Sequence, residues 1–231
     1  NDNLTNRYQG VQFGYTSAGR YTSWNDIWNY YGFKERDVLP GDYKYEDWNG
    51  DGEINGQDEH PFAFDQTPWL QFSLNAGLQW KNFDFNMLLQ GSALGSMEYK
   101  EPLHEIWGKN GGGALTQFLD RWHPVDPKAD PYDPSTVWTS GHYAYTGRWA
   151  KNNSAFNRVS TAYLRLKSIE LGYTFPKLKQ IPNASLRVYA NAYNLLTFTG
   201  VKFVDPEHPD DDLGRMYPLN KTYTLGVSLS F

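Results

Sequence analysis

The sequence predicts an all-β fold, namely an antiparallel transmembrane β-barrel segment of about six strands with long extracellular loops. Two observations support this prediction. Several stretches alternate strictly between apolar and polar residues, and the connections between these stretches alternate between short and long. Strands of membrane barrels place apolar side chains toward lipid and polar side chains toward the lumen, with short turns at one end and long loops at the other.

The last alternating stretch spans residues 221–231 and ends on an aromatic residue, Phe231. Its apolar face consists of Tyr223, Leu225, Val227, Leu229 and Phe231, and its polar face of Thr222, Thr224, Gly226, Ser228 and Ser230. The same period of two also fits a strand of an ordinary β-sandwich. The remaining stretches therefore have to decide between the two folds.

Residues 69–80 alternate in the same way, and Trp69 and Trp80 stand at the two ends like the aromatic belts of a membrane interface. The short segment Lys81–Asn82 separates this stretch from the next one, which begins at Phe83. Two strands joined by so short a connection predict a tight β-hairpin.

Residues 184–195 predict another strand of this kind, and residues 161–175 predict one with a change of phase. In the latter stretch the apolar positions change parity between Leu166 and Ile169. One extra residue in a strand produces such a change, so we expect a β-bulge near Lys167–Ser168.

A sixth, weaker strand is expected at about Gln9–Ser17, with Val11, Phe13 and Tyr15 facing outward. A closed membrane barrel needs at least about eight strands, and an open sheet edge in lipid would leave backbone groups unpaired. We therefore expect further strands upstream of this segment, paired with it at both edges.

The connections alternate in length along the chain. Lys81–Asn82 and Pro176–Asn183 are short, whereas 18–68, 93–160 and 197–220 are long. Outer-membrane barrels have short periplasmic turns and long extracellular loops. The order of the connections therefore predicts a consistent orientation for all six strands.

The composition excludes several classes of protein. No apolar run approaches the roughly 20 residues of a membrane helix, which excludes a helical membrane protein. The chain has no cysteine for a disulfide or a thiolate metal site, and its net charge of −5 without a basic block argues against a nucleic-acid partner. The first residues lack the apolar region of a signal peptide, so we expect either a cytosolic chain or a start that lies further upstream.

The clearest local motif is residues 47–58, DWNGDGEINGQD, which follows the pattern of a Ca²⁺-binding loop. Oxygen-bearing side chains alternate with other residues up to a glycine, and a carboxylate closes the loop. The predicted ligands are Asp47, Asn49, Asp51, Glu53 through its backbone carbonyl, and Asp58. A Ca²⁺ ion held here would have a structural role. The alternative is a hydrated cluster of turns without a bound ion.

A second candidate site is an aromatic loop. It contains Tyr132, Trp138, Tyr143, Tyr145 and Trp149. Aromatic residues make up 17% of the chain, and flat rings beside polar groups suit the stacking of a sugar or the surface of a protein partner. The alternative is that these rings pack the loop against itself.

No arrangement of side chains predicts an enzyme. His104 beside Glu105, and Ser154 with its distant histidines, lack the spacing of a nucleophile with an acid–base partner. Besides a membrane barrel, a soluble Ca²⁺-dependent carbohydrate-binding β-domain remains open. An outer-membrane enzyme of the phospholipase kind has the least support.

Several motifs occur together in the order found in one family. They are Pro40-Gly41-Asp42-Tyr43-Lys44-Tyr45 before the 47–58 loop, Asn82-Phe83-Asp84-Phe85 leading to Gln90-Gly91, Arg121-Trp122-His123-Pro124, Ala162-Tyr163-Leu164-Arg165-Leu166-Lys167, Leu171-Gly172-Tyr173-Thr174-Phe175-Pro176, Asn194-Leu195-Leu196-Thr197-Phe198-Thr199, Asp205-Pro206-Glu207 and Tyr217-Pro218. Through these motifs the chain resembles the C-terminal part of SusC-like TonB-dependent transporters.

The resemblance implies a barrel of about 22 strands whose lumen holds a plug domain. Residues 1–231 would supply barrel wall and extracellular loops, while the plug and the segment that contacts the TonB complex would lie upstream. The expected location is the outer membrane of a Gram-negative bacterium, in contact with membrane lipid. The expected partners are a SusD-like surface lipoprotein and an oligosaccharide cargo, with a peptide cargo as the alternative.

Overall fold

The computed structural model describes residues 9–30, 38–100, 103–104, 114–145, 153–176, 184–208, 214–217 and 219–231. The strands are β1 (Gln12–Gly14), β2 (Ser17–Arg20), β3 (Tyr43–Tyr45), β4 (His60–Ala63), β5 (Leu70–Trp80), β6 (Phe83–Ala93), β7 (Ser96–Glu98), β8 (His123–Pro124), β9 (Trp138–Thr139), β10 (Arg158–Ser160), β11 (Tyr163–Phe175), β12 (Ser185–Thr199) and β13 (Thr222–Ser230). The helix α1 (Trp24–Asn29) is short, as are the 3₁₀ turns Gly56–Asp58 and Thr116–Leu119. Within these ranges, no helix is long and apolar enough to cross a membrane.

The chain divides into two compact units. The first, called the wall unit, consists of Gln66–Gly95, Ser160–Pro209 and Arg215–Phe231. The second, called the loop unit, consists of Asn1–Asp65, Ser96–Val159 and Asp210–Gly214. The long strands lie in the wall unit, and most of the two longest predicted loops lies in the loop unit.

The wall unit is built on one antiparallel sheet with the strand order β13-β12-β11-β6-β5. Its register places like residues side by side. Leu78, Phe85, Leu171, Ala190 and Leu225 form one row across all five strands. The next row, on the opposite face, consists of Gly77, Asn86, Glu170, Asn191 and Thr224. The sheet therefore has one apolar and one polar face, as the alternating sequence predicts.

The apolar face is exposed. Leu78 is 64% exposed, Leu171 53% and Leu225 85%, and Leu74 and Val227 are exposed in the same way. Burial of apolar surface contributes about 25 cal/mol per Å², so a face of this extent would be unfavourable in water. The sheet therefore requires an apolar surrounding on this side.

The bulge predicted within residues 161–175 is confirmed. In β11 the register shifts between Leu166 and Ser168 on both neighbouring strands, which leaves Lys167 as the extra residue. The shift keeps Leu166 and Ile169 on the apolar face although three positions separate them. The hairpin at Lys81–Asn82 is confirmed as well, because β5 and β6 pair along their full length.

The expected sixth strand does not join the sheet. Within residues 9–17, β1 is short and pairs with β4 in the loop unit. Tyr15, expected to face outward, is 7% exposed and packs with Tyr45 and Ile54. The alternation at this position serves a small aromatic core, which places apolar side chains on one side of a strand just as a membrane does. The sheet thus has five strands.

The loop unit is held together by aromatic rings and by arginine side chains such as that of Arg20. Tyr43 and Phe156 pack against the core of Tyr15, Tyr45 and Ile54. The guanidinium of Arg20 lies 4.4 Å from the ring centroid of Tyr43 and donates a 2.7 Å hydrogen bond to the Gly41 carbonyl. Cation–π contacts and hydrogen bonds of this kind stabilise a short, strand-poor unit. Segments that are far apart in sequence therefore fold as one body.

Candidate functional site

The polar face of the wall unit carries buried charge. Arg165 lies on the polar face of β11, and its side chain is 2% exposed. Its Nη2 lies 2.7 Å from a carboxylate oxygen of Asp205, and its Nη1 lies 3.0 Å from Glu207. Paired, hydrogen-bonded charges can be buried, whereas a single one cannot be without a large penalty. Arg165 therefore requires both carboxylates in place.

The bulge adds a second cation to this cluster. Lys167, the extra residue of β11, donates to Glu207 at 2.8 Å and its side chain is 31% exposed. Because Asp205 and Glu207 belong to the chain after β12, residues 201–208, called the arm, are held against the polar face. The four charged side chains that hold the arm, Arg165, Lys167, Asp205 and Glu207, are called the latch.

A second ion cluster lies further along the same face. The Nε of Arg187, on β12, donates to Asp84 at 3.1 Å, and its Nη2 lies 2.6 Å from Glu170. These side chains come from three neighbouring strands, β6, β11 and β12. Two carboxylates share one guanidinium, so the cluster carries net negative charge.

Both ion clusters were missed by the sequence reasoning. A signal was present, because Asp84, Arg165, Glu170 and Arg187 all stand at positions that alternate with apolar residues. Charges at such positions must face the lumen of a membrane barrel. Their pairing could not be read from the sequence, since the partners are 17 to 103 residues apart.

The predicted metal loop is a set of interlocked turns. Asp47 accepts hydrogen bonds from the amides of Gly50 at 2.7 Å and Gly52 at 2.8 Å. Asp51 accepts from the Glu53 amide at 2.8 Å and from the Asn49 side chain at 2.9 Å. These bonds hold the pKa of Asp51 below its usual value, so its carboxylate is charged.

Asp58 closes the loop from inside. Its side chain is fully buried and accepts from the amides of Trp48 at 2.9 Å and Asn55 at 2.8 Å. The donor set consists of hard oxygen atoms, which is the chemistry that Ca²⁺ prefers. The Oδ1 of Asp58 also accepts from the Asn49 amide at 3.3 Å, whereas its Oδ2 accepts the Asn55 amide and keeps a second lone pair. In the described part of the chain, no three Asp, Glu or His side chains converge as they would around a metal ion.

The predicted aromatic loop is only partly assembled. Trp138 and Tyr145 pack edge to face with ring centroids 5.4 Å apart. Tyr143 packs on Phe118 at 4.5 Å, and burial raises the pKa of its phenol to about 12. Tyr132 is 54% exposed. Trp149 lies outside the described residues.

Comparison with known proteins gives a consistent result. No family model matches the chain. It is 28% identical over 211 residues to the TonB-dependent receptor P3 of Formosa agariphila, a match that covers 84% of this chain and 19% of that protein. It is 26% identical over 210 residues to the TonB-dependent receptor SusC of Bacteroides thetaiotaomicron, with 90% and 19% covered. The chain thus spans about a fifth of the length of these relatives.

The fold matches that of solved transporters. Against the RagAB peptide importer in its closed-closed state the TM-score is 0.58 at 19% identity, covering 96% of this chain and 23% of that one. In the open-open state the TM-score is 0.55 at the same identity, with 96% and 22% covered. The chain is therefore homologous to SusC-like TonB-dependent receptors and forms a segment of the β-barrel wall of their fold.

Proposed function

We propose that this chain is part of an outer-membrane transporter of a Gram-negative bacterium, which imports oligosaccharides together with a SusD-like surface lipoprotein. The wall unit contributes a section of the barrel, and the loop unit contributes extracellular structure. Energy would reach the transporter through the TonB complex and the upstream part of the protein. In this role the chain itself carries out no chemical reaction.

The single observation that supports this proposal most is the two-faced sheet. Its apolar face is exposed across all five strands, and its polar face carries paired charges such as Arg165 with Asp205 and Arg187 with Glu170. Lipid on one side and a hydrated lumen on the other satisfy both faces at once. A soluble carbohydrate-binding domain would leave the apolar face in water, so we disfavour that alternative.

The choice of cargo in this proposal is supported by the relatives and by the surface chemistry. RagAB is named as a peptide importer, which keeps a peptide cargo as the alternative. We favour an oligosaccharide because exposed aromatic rings such as Trp48 and Tyr132 stand beside polar groups in the loop unit.

The proposal is tested with the complete transporter that contains this chain. A strain without its gene should lose uptake of labelled oligosaccharides, and the complementing protein should be found in the outer-membrane fraction and need detergent for extraction. A protein that stays monodisperse in the soluble fraction would overturn the proposal. If labelled peptides are taken up and oligosaccharides are not, the proposed transport function stands and the cargo is a peptide.

We further propose that Ca²⁺ binds the 47–58 loop and holds it in shape. The oxygen chemistry of Asp47, Asn49, Asp51, Asp58 and the Glu53 carbonyl supports this assignment. Isothermal titration of the metal-free transporter with Ca²⁺ should show binding that Asp51→Ala abolishes. Asp133→Ala is the matched control, because Asp133 also caps an exposed turn, through the amide of Ser135. Equal heats for both variants and the unaltered protein would contradict a site in this loop.

A further inference from the structure

Trp48 presents a flat, fixed ring at the surface of the loop unit. Its side chain is 58% exposed, although Trp is among the side chains with the most apolar area to bury. One face of the indole is covered by the imidazole of His60, with ring centroids 3.7 Å apart and an angle of 11° between the planes. One face of the Trp48 ring is therefore covered by His60, and the exposed surface includes the opposite face.

Asp58 bonds both residues of the stacked pair. The backbone amide of Trp48 donates to the buried carboxylate of Asp58 at 2.9 Å. The Nδ1 of His60 lies 3.0 Å from the Asp58 carbonyl, and His60 itself is 7% exposed and pairs with Gly14 across β1 and β4. A ring held in this way loses little conformational freedom when a ligand stacks on it.

The surroundings of the ring are polar. Two exposed residues of the same loop whose side chains are not proposed Ca²⁺ ligands, Glu53 and Gln57, carry a carboxylate and an amide that can bond hydroxyls. A protein hot spot would instead need a well-packed, desolvated pocket around the aromatic anchor. The carboxylates of Asp51 and Glu53 would also repel an anionic ligand. A neutral ligand with one apolar face and many hydroxyl groups fits this surface best.

We propose that Trp48, stacked on His60, is a binding platform for a pyranose ring of an oligosaccharide. The C–H groups of one sugar face pack on the indole, and the sugar hydroxyls bond the polar side chains beside it. This inference rests on the proposed oligosaccharide transport, to which it adds a contact site in the loop unit. The 47–58 loop then has a second role, because its turns place the ring.

The experiment uses the complete transporter, purified with its lipoprotein partner, and an array of neutral plant and algal oligosaccharides as the probe. For oligosaccharides that the unaltered protein binds, Trp48→Ala should weaken the affinity by about tenfold, because one stacking contact is lost. Trp48→Phe keeps a flat ring and should lose about threefold or less. Trp28→Ala is the matched control, since Trp28 is 65% exposed in the same unit and packs on Trp24.

Two further measurements decide the outcome. Circular dichroism checks that each variant is folded. Iodide should quench the fluorescence of Trp48, and bound oligosaccharide should reduce this quenching. Unchanged affinity in Trp48→Ala, an equal loss in Trp28→Ala, or no binding of any neutral oligosaccharide would overturn the platform. If uptake of oligosaccharides persists in Trp48→Ala with unchanged affinity, the transport proposal stands and only the platform fails.

Discussion

Arg165 is a charged side chain that is buried on the polar face of the wall unit. The guanidinium is almost fully buried, and its carboxylate partners Asp205 and Glu207 are themselves 14% and 16% exposed. A buried ion pair contributes little net stability, but removing one partner leaves the other charge without compensation. The arm is therefore expected to depend on Arg165 more than on any surface ion pair.

We predict that Arg165→Met lowers the free energy of unfolding by about 3 kcal/mol and makes the arm susceptible to protease. Unfolding of the complete protein by urea in detergent micelles measures the free energy. Limited proteolysis measures the susceptibility of the arm. Lys167→Met is the matched control: Glu207 keeps Arg165 as a partner, and Lys167 is partly exposed, so we expect a loss below about 1 kcal/mol. Equal losses in the two variants would contradict the latch.

Tyr143 belongs to the predicted aromatic loop, and its half-buried ring packs on Phe118 within the loop unit. Burial raises the pKa of its phenol from 10.0 to about 12. The folded state therefore disfavours the phenolate, and the stability that Tyr143 contributes is complete below pH 10.0 and is lost as the pH rises toward about 12.

The test is an alkaline titration of the phenolate absorbance, compared between the unaltered protein and Tyr143→Phe. The difference between the two curves should be a step centred near pH 12. A step near the ordinary value of 10.0 would show that the ring is solvated and free to serve as a contact surface.

In β11, one extra residue lets apolar positions of two different parities lie on the same face of the sheet. The apolar positions Leu164 and Leu166 precede the bulge, and Ile169 and Leu171 follow it. Without Lys167 these positions would alternate regularly, because the separation between Leu166 and Ile169 would fall from three residues to two. The bulge thus adds a latch cation at no cost to the apolar face.

We predict that deletion of Lys167 leaves the protein able to fold into the outer membrane but weakens the hold on the arm. Deletion of Gly172, a residue of the same strand, should prevent folding, because it moves the residues on one side of the gap to the wrong face. The folded fraction in isolated outer membranes, measured by protease resistance, separates the two. If both deletions fold, or neither does, the role given to the bulge is wrong.

The sheet of the wall unit as a whole requires a surrounding that is apolar on one side. Leu225 and Thr224 are neighbours on β13 and lie on opposite faces of the sheet. Leu225 is 85% exposed, so the effect of a substitution there on stability reflects the surrounding medium rather than packing within the chain. This pair of positions therefore reports directly on what covers the apolar face.

We predict that Leu225→Lys lowers stability in a bilayer by about 2–4 kcal/mol, the cost of a cation on the lipid face near the midplane. Thr224→Lys is the matched control on the polar face and should cost less than about 1 kcal/mol. Unfolding of the complete protein in lipid vesicles measures both. Similar costs at the two positions would contradict a lipid-covered apolar face.

The strands of the wall unit could be predicted from the sequence because their signal is local. A period of two assigns each side chain to a face once a strand is assumed, and the change of phase in 161–175 announces the bulge. The segment around Tyr15 shows where this reasoning fails. Its alternation is equally local, but which surface covers it depends on Tyr45 and Ile54, which lie in another part of the chain.

One part of the candidate site could likewise be predicted from the sequence, and another part could not. The turn residues of the 47–58 loop could be read from their spacing, because each carboxylate there bonds amides within ten residues of it. The stacking of Trp48 on His60 could not, since nothing in the spacing of the two residues shows that their rings lie parallel.

The two faces of the wall unit, the hairpin, the bulge and the motifs of the SusC-like family can all be read from the chain, since each depends on residues close together in it. The distribution of charge over the polar face becomes visible once the strands are paired. Arg187 meets Asp84 across 103 residues and Arg165 meets Asp205 across 40, and these pairings form only when the strands are in register. The physical reason is that desolvation penalises an unpaired charge, so the register that aligns the apolar rows also has to bring each buried charge to its partner.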